Sequence, residues 1–123
     1  MQATEFWDKL FSKGQEGDYS RVEMPDLNDP VLKRALAHYG NIHNKTVIDL
    51  GCGRGAASLF FAHYGANVIS VDLSEIAINN FSKYCKDNKI INITPIKLSV
   101  KWTPSQGQFS PKLRCASFCR LTE

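Results

Sequence analysis

Apolar side chains recur at helical spacing in four parts of the chain, each bounded by residues that start or stop helices. Asp29 is a suitable N-cap, Pro30 stands where a first-turn proline is tolerated, and Gly40 ends the repeat. Ser74 precedes the last helix, and Glu75 follows in the first turn, where the helix dipole favours an acidic side chain. The pattern predicts helices over 4–12, 30–39 and 54–64 and a fourth after residue 74.

Three short runs rich in Val, Ile and Thr separate these helices and predict strands over 46–50, 67–72 and 91–98. Pro95 lies in the third run and lacks a backbone donor, which limits its pairing or places it at a sheet edge. Alternating strands and helices indicate parallel strands joined by right-handed crossovers. We expect an α/β fold, a Rossmann-like parallel sheet of about three strands with flanking helices.

The alternation stops near residue 100, beyond which neither the strand period nor the helix period is found. The chain therefore divides into an N-terminal helical cap (1–45), a βαβαβ core (46–99) and an irregular tail (100–123). With three strands, the run at 46–50 is left as an unpaired apolar edge. Such an edge invites pairing with another chain.

The composition indicates a single soluble domain, since 43% of the 123 residues are hydrophobic and 22% are charged. Charges separate the aromatic residues near the N-terminus, so we expect no signal peptide, and no stretch is long enough to span a bilayer. Four cysteines without a secretory signal favour reduced thiols and a cytoplasmic location. Cys115 and Cys119 have too few further ligands nearby to predict a metal site.

The charged side chains in the C-terminal part of the chain are almost all basic. Residues 88–122 contain six basic and no acidic side chains, whereas 1–87 contain nine basic and eleven acidic ones. The basic residues are scattered singly, without regularly spaced aromatic residues between them. This pattern favours a solvated tail over nucleic-acid binding.

The stretch VIDLGCGRG, residues 47–55, ends the first strand in a turn that contains Gly51, Gly53 and Gly55. A glycine-rich turn between a parallel strand and a helix forms a crevice at the carboxyl edge of the sheet, where ligands bind. Glycines permit positive φ and allow a ligand to lie against bare backbone. The first amides of the next helix carry partial positive charge, so the turn predicts a site for a nucleotide-like ligand.

Two carboxylates accompany the turn. Asp72 ends the second strand, 17 residues after Gly55, and this position lies beside the end of the first strand in a βαβ unit. A carboxylate there can accept hydrogen bonds from both hydroxyls of a ribose. Asp49 stands two residues before the first glycine, where it would repel a pyrophosphate and favour a cation. The residues favour a ligand with a ribose and a positive end.

A dinucleotide is the alternative ligand. Gly51, Gly53 and Ala56 satisfy the G-x-G-x-x-G/A fingerprint of NAD(P)-binding proteins. An oxidoreductase fragment is therefore the second interpretation. A non-catalytic domain that pairs with a partner chain through the edge at 46–50 is the third.

The segment DLGCGRG (49–55) resembles the first motif of class I S-adenosylmethionine-dependent methyltransferases, acid-x-G-x-G-x-G, and VISVDLS (68–74) resembles their second motif. The resemblance covers 46–98 and implies a methyltransferase. It implies that Asp49 lies near the methionine amino group, directly or through water. Asp72 would bind the ribose hydroxyls, and Leu73 would pack on the adenine. The turn would pass beneath the cofactor through Gly51, Cys52, Gly53 and Gly55.

The N-terminal stretch FWDKLFSKG (6–14) resembles the cap of small-molecule members of this family, so a small-molecule acceptor is expected. From this cap, Trp7, Tyr19 and Arg21 could close over the cofactor. Packing of Trp7 in the core or against a partner is an equally favoured alternative. The sulfonium of the cofactor is an activated methyl donor, so the main requirement is alignment, and no catalytic residue is assigned. The histidines at 38, 43 and 63 are expected at the surface or in packing.

The chain departs from the family after the third strand. The family sheet has seven strands, of which three are predicted here, and Ser99 alone matches the polar residue near the adenine amino group. The joint loss of acidic residues, apolar periodicity and a fourth strand leads to a hypothesis. In it, the chain is the N-terminal part of a methyltransferase, truncated or frameshifted, with non-family sequence from about residue 100.

Overall fold

The computed structural model describes residues 3–12, 19–98 and 118–122, and in the last segment the backbone alone. Its helices and strands follow the predicted order, with one strand added at the C-terminal end. The helices are α1 (Ala3–Phe11), α2 (Pro30–Tyr39), α3 (Ala56–His63) and α4 (Glu75–Asp87), and the strands are β1 (Thr46–Leu50), β2 (Asn67–Asp72), β3 (Ile93–Lys97) and β4 (Phe118–Thr122). No helix in these described segments is both long and apolar enough to cross a membrane.

The strands form one sheet in the order β3-β2-β1-β4. β1 pairs parallel with β2, and β2 pairs parallel with β3, which confirms the predicted Rossmann-like parallel sheet. Pro95 lies in β3 at the edge of the sheet, where its missing donor does least harm. The bounds of β1 and β2 are those predicted, and β3 is shorter than predicted at both ends.

The prediction of an unpaired edge at 46–50 is wrong, because β4 pairs antiparallel with β1 along its whole length. A strand edge carries backbone donors and acceptors that favour pairing with an extended segment within reach. The segment FCRLT at 118–122 lacks clear alternation, so its sequence did not indicate a strand. The chain itself thus covers the edge at which we expected another chain. The assignment of 100–123 to non-family sequence stays a prediction, since 99–117 lie outside the described residues.

The period of two along β1 and β2 decides which side chains face the helices. Val47 and Asp49 of β1 and Val68 and Ser70 of β2 are buried, whereas the intervening positions of β1 are more exposed. α3 and α4 pack against this inner face with three fully buried aromatic side chains, Phe60, Phe61 and Phe81. Two polar side chains, Asp49 and Ser70, therefore lie on the face that forms the core.

The predicted helix N-caps are found. Asp29 Oδ1 accepts hydrogen bonds from the amides of Val31 and Leu32 at 2.9 and 3.1 Å. Ser74 Oγ accepts a hydrogen bond from the amide of Ala77 at 3.1 Å. Each cap satisfies amides that have no partner within the helix, and this fixes where α2 and α4 begin.

Gly55 ends the turn after β1 and sets the start of α3. The helix begins at Ala56 rather than at residue 54, because Gly55 has a φ of 88°, outside the helical region. A Cβ on Gly55 would lie 2.4 Å from Cε1 of Phe81, so a side chain would overlap the core. Gly51 also has a positive φ, 74°, but apart from its chain neighbours no atom of the described residues lies within 4 Å of its Cβ position. Of these two glycines of the turn, Gly55 is the one that combines both constraints.

We predict that Gly55→Ala lowers the free energy of unfolding by about 3 kcal/mol, because it adds overlap with Phe81 to the strain of a positive φ. Gly51→Ala, the matched control in the same turn, adds strain alone and should cost about 1 kcal/mol. Urea unfolding followed by circular dichroism measures both values. Equal losses would show that the contact with Phe81 is not what excludes a side chain.

Candidate functional site

The glycine turn lies against the carboxyl end of β2. The amides of Gly51 and Cys52 donate hydrogen bonds to the carbonyl of Val71 at 2.7 and 2.9 Å. The amide of Gly55 donates to the carbonyl of Cys52 at 2.9 Å, which closes the turn. Because both strands end at the same edge of the sheet, these bonds hold the turn beside Asp72.

Asp72 joins the turn to the start of α4. Its Oδ2 accepts a hydrogen bond from the amide of Gly53, and its Oδ1 accepts one from the amide of Ser74, both at 2.9 Å. A carboxylate offers about four acceptor positions, so about two remain available on this half-buried side chain. Leu73, the next residue, is also half-buried. Asp72 is thus positioned to accept further hydrogen bonds from a ligand beside the turn.

Asp49 lies fully buried beneath the turn, at 0% exposure. Its Oδ2 accepts a hydrogen bond from the hydroxyl of Ser58 at 2.7 Å. The Ser58 oxygen in turn lies 2.5 Å from the hydroxyl oxygen of Ser70, which is also fully buried. The other carboxylate oxygen, Oδ1, has no hydrogen-bond partner among the described residues.

The surroundings of Asp49 oppose its ionisation. Burial raises the pKa of this carboxyl, the hydrogen bond from Ser58 lowers it in part, and the charge of Asp72 raises it further. An ionised carboxylate with one unpartnered oxygen in the core is costly to folding. A buried carboxylate that carries such a cost is a candidate ligand-binding residue, because a bound cationic group would offset the cost.

Cys52 lies in the turn but is not a candidate nucleophile. Its side chain is 7% exposed, and burial, followed by the charges of Asp49 and Asp72, raises the pKa of its thiol well above the ordinary value. The thiol therefore stays protonated and unreactive near neutral pH. Its contribution to the site comes from its backbone and its packing.

The N-terminal segment packs onto the turn and onto α4. The hydroxyl of Ser74 donates to Asp8 Oδ1 at 2.6 Å, and Asn80 Nδ2 donates to the carbonyl of Phe11 at 3.2 Å. The ring of Phe11 lies beside Gly53, with its Cζ 3.5 Å from the Cβ position of that residue. The segment α1 therefore borders the candidate site directly.

The residues before α2 also reach the turn. Arg54 Nε donates to the carbonyl of Arg21 at 2.7 Å, and the carbonyl of Arg54 accepts from the amide of Glu23 at 3.0 Å. The Arg54 guanidinium lies over the ring of Tyr19, 5.6 Å from its centroid. Of the three cap residues expected over the site, Tyr19 and Arg21 contact the turn residue Arg54, whereas Trp7 stacks on Phe11.

Sequence reasoning missed Ser58, Ser70, Asp8 and Phe11. Ser70 carried a signal, because it occupies an inward position of a strand where an apolar residue is expected. Asp8, Phe11 and Ser58 carried none, since their partners are brought near only by the fold.

No metal centre is apparent in the described part of the chain, where no group of three or more His, Cys, Asp or Glu could hold an ion. His38, His43 and His63 are exposed, as expected for surface residues. Cys115 lies outside the described residues, and only the backbone of Cys119 is described.

We predict that Asp49→Asn stabilises the protein most at high pH. Because the pKa of Asp49 is raised on folding, its favourable contribution is present below the ordinary pKa and is lost as pH rises through the folded value. The asparagine does not titrate, so the variant should gain unfolding free energy over wild type between about pH 4 and about pH 8. Urea unfolding across this range measures the difference. Asp87→Asn, at an exposed aspartate, is the matched control and should show no such trend; a flat difference for Asp49→Asn would contradict the prediction.

The chain matches a family profile and the sequences of individual known proteins. The family profile described as "Methyltransferase domain" matches residues 47–119, which include both motifs and part of the tail. The "Ubiquinone biosynthesis O-methyltransferase" of Rickettsia felis is 28% identical over 85 residues, which cover 69% of this chain and 33% of that protein. The "Probable protein arginine N-methyltransferase 3" of Arabidopsis thaliana is 37% identical over 73 residues, 58% of this chain and 12% of that protein.

A solved structure shares the fold. The magnesium protoporphyrin IX methyltransferase from Synechocystis PCC 6803, with bound SAH, superposes with a TM-score of 0.50 at 22% identity. The superposition covers 79% of this chain and 47% of that one. The chain thus spans about a third of the length of the ubiquinone-pathway relative and less than half of the solved neighbour.

Proposed function

This chain belongs to the methyltransferase domain family, and from that premise we propose that its glycine turn binds S-adenosylmethionine for methyl transfer to a small-molecule acceptor. The proposal rests on one observation above all. Two carboxylates border the turn, and one of them is fully buried with an oxygen that has no partner among the described residues. A ligand with hydroxyl donors and a cationic group complements both.

The Asp49 side of the turn fits the ammonium group of the cofactor's methionine part. An ammonium is a donor with a positive charge, and it would supply the hydrogen bond that Oδ1 lacks. It would also favour the ionised form of Asp49, whose pKa burial raises. Because Oδ1 is buried, this contact forms directly only if the turn or its cover shifts, and otherwise through a water molecule.

The Asp72 side of the turn fits the ribose. The two remaining acceptor positions of its carboxylate match the two hydroxyl donors of a ribose. Leu73 follows at a half-buried position, where an adenine could pack on it. The described residues leave space at Gly51 for a ligand against bare backbone. In this proposal Gly51, Cys52, Gly53 and Gly55 contribute backbone surface beneath the cofactor.

A dinucleotide fits the same turn poorly. The amide of Gly53, which a pyrophosphate would need, already donates to Asp72. The side chain of Asp49, on β1, faces the first turn of α3, where both the amide and the hydroxyl of Ser58 act on the carboxyl. The protein's own anion therefore takes the place of a phosphate at this helix N-terminus. The carboxylates of Asp49 and Asp72 would repel the pyrophosphate of a dinucleotide. These contacts favour the sulfonium cofactor over NAD(P).

The cofactor supplies an activated methyl group when it is bound, and the protein's part is to hold and orient it. Asp49 and Asp72 would hold its two ends, and the N-terminal segment would limit its exposure to water. We assign no general base, because His63 lies in the last turn of α3 and His43 lies beside Gly65, both at the end of α3 away from the glycine turn. The relatives named above act, by their names, on different acceptors, so the acceptor atom is left open. A cytoplasmic location remains part of the proposal.

We predict that Asp72→Asn weakens binding of S-adenosylhomocysteine by at least about tenfold, because one hydrogen bond to a charged group contributes about 1.5–3 kcal/mol. Isothermal titration calorimetry on the full chain measures the affinity. Asp87→Asn on α4 is the matched control and should bind as wild type does.

A parallel titration of the wild-type protein with NAD tests the alternative cofactor. We expect heat of binding with S-adenosylhomocysteine and none with NAD at the same concentrations. Binding of NAD alone would overturn the proposed function.

A further inference from the structure

Three polar side chains, Ser70, Ser58 and Asp49, form a hydrogen-bonded series in the core beneath the glycine turn, which we call the relay. Asp49 and Ser70 are register partners on β1 and β2, and Ser58 lies in the first turn of α3, above them. All three are 0% exposed. The oxygen atoms are 2.7 Å apart between Asp49 and Ser58 and 2.5 Å apart between Ser58 and Ser70.

The direction of both hydrogen bonds follows from counting hydrogens. An ionised Asp49 only accepts, so the single hydroxyl hydrogen of Ser58 is donated to Oδ2. With Asp49 ionised, the Ser58 oxygen accepts from Ser70, so the Ser70 hydroxyl is the donor of the second bond. The two bonds therefore polarise one another and favour negative charge on Asp49.

A contribution to folding stability alone does not account for the relay. Alanine at 58 and 70 with an apolar residue at 49 would fill the core without burying a charge, and such replacements are often neutral or favourable. The serines satisfy one oxygen of Asp49 and leave Oδ1 without a partner among the described residues. A purely structural set would satisfy both oxygens.

We propose that Ser58 and Ser70 are positioning residues, which fix Asp49 through Oδ2 so that Oδ1 accepts a hydrogen bond from a ligand's ammonium group, directly or through a water molecule, and which set the pH range of that binding. This inference rests on the proposed function and deepens it. The relay fixes the orientation of the Asp49 carboxylate, because rotation of this group would break the hydrogen bond that Oδ2 accepts from Ser58. Neither serine touches the ligand.

Among the described residues, burial acts most strongly on the pKa of Asp49, and the hydrogen bond from Ser58 comes second. Asp72 at the end of β2 raises the pKa of Asp49, and Ser58 on α3 lowers it. The Cys52 thiol in the turn is protonated, since burial raises its pKa. The side chains of β4 lie outside the description. Removal of the Ser58 hydroxyl would therefore raise the pKa of Asp49 further and reduce its ionised fraction.

The test compares Ser58→Ala and Ser70→Ala with wild type by calorimetry between about pH 5 and about pH 8. Two ligands separate the ends of the site: S-adenosylhomocysteine carries the ammonium, and 5′-methylthioadenosine retains the ribose and adenine without it. We expect Ser58→Ala to bind S-adenosylhomocysteine about tenfold more weakly at neutral pH, the scale of one lost hydrogen bond to a charged group. The acid side of its pH profile should move to higher pH, with a smaller shift in Ser70→Ala. Affinity for 5′-methylthioadenosine should stay within about twofold.

Two further variants distinguish the loss of a relay hydroxyl from a general loss of stability. Cys85→Ala removes a buried polar atom elsewhere in the core and should leave the pH profile unchanged even where it lowers stability. Ser70→Thr retains the hydroxyl and should restore the wild-type profile. A carbon-13 titration of the Asp49 carboxyl in the ligand-free protein should show its midpoint at higher pH in Ser58→Ala.

The possible failures are distinguishable. If the wild-type protein binds neither ligand, the proposed function fails, and the relay's role toward an ammonium fails with it. If wild type binds S-adenosylhomocysteine and both alanine variants keep its affinity and pH profile, the relay is overturned while the proposed function stands. Equal weakening of both ligands would also overturn it, because it would indicate a general structural loss.

Discussion

The parallel pairing of β1 with β2 is the constraint on which the whole site depends. Because the two strands run in the same direction, both end at one edge of the sheet, and the turn after β1 closes onto the carbonyl of Val71. The same register sets Asp49 beside Ser70 on the inner face and brings Asp72 to the amide of Gly53. A slip of one residue would turn Asp49 to the other face and separate all of these groups.

The site concentrates unfavourable interactions that the core offsets. Asp49 is buried with one oxygen unpartnered among the described residues, close enough to Asp72 for the two charges to interact. The aromatic side chains of α3 and α4 supply the apolar burial that makes such a group tolerable in a small domain. Binding sites commonly depart in this way from what stability favours.

The N-terminal segment is held to this site by a different kind of interaction. A few hydrogen bonds, from Ser74 to Asp8, from Asn80 to Phe11 and from Arg54 to Arg21, attach it to α4 and to the turn. The sheet, by contrast, is stabilised by continuous ladders and buried aromatic packing. α1 buries a single apolar side chain, Phe11, and segments with few buried apolar contacts open at lower free energy than core strands. We therefore expect α1 to separate from the turn more readily than the strands separate from one another.

The sequence by itself determined the local features: the bounds of β1 and β2, the caps at Asp29 and Ser74, and the glycine turn with its two aspartates. These depend on periodicity and on hydrogen bonds between residues a few positions apart, which a single sequence displays. Only the tertiary structure decided that Ser58 and Ser70 lie behind Asp49, that Phe11 lies beside the turn, and that 118–122 pairs with β1. Such contacts join segments distant along the chain, and they exist only once backbone pairing and packing have brought those segments together.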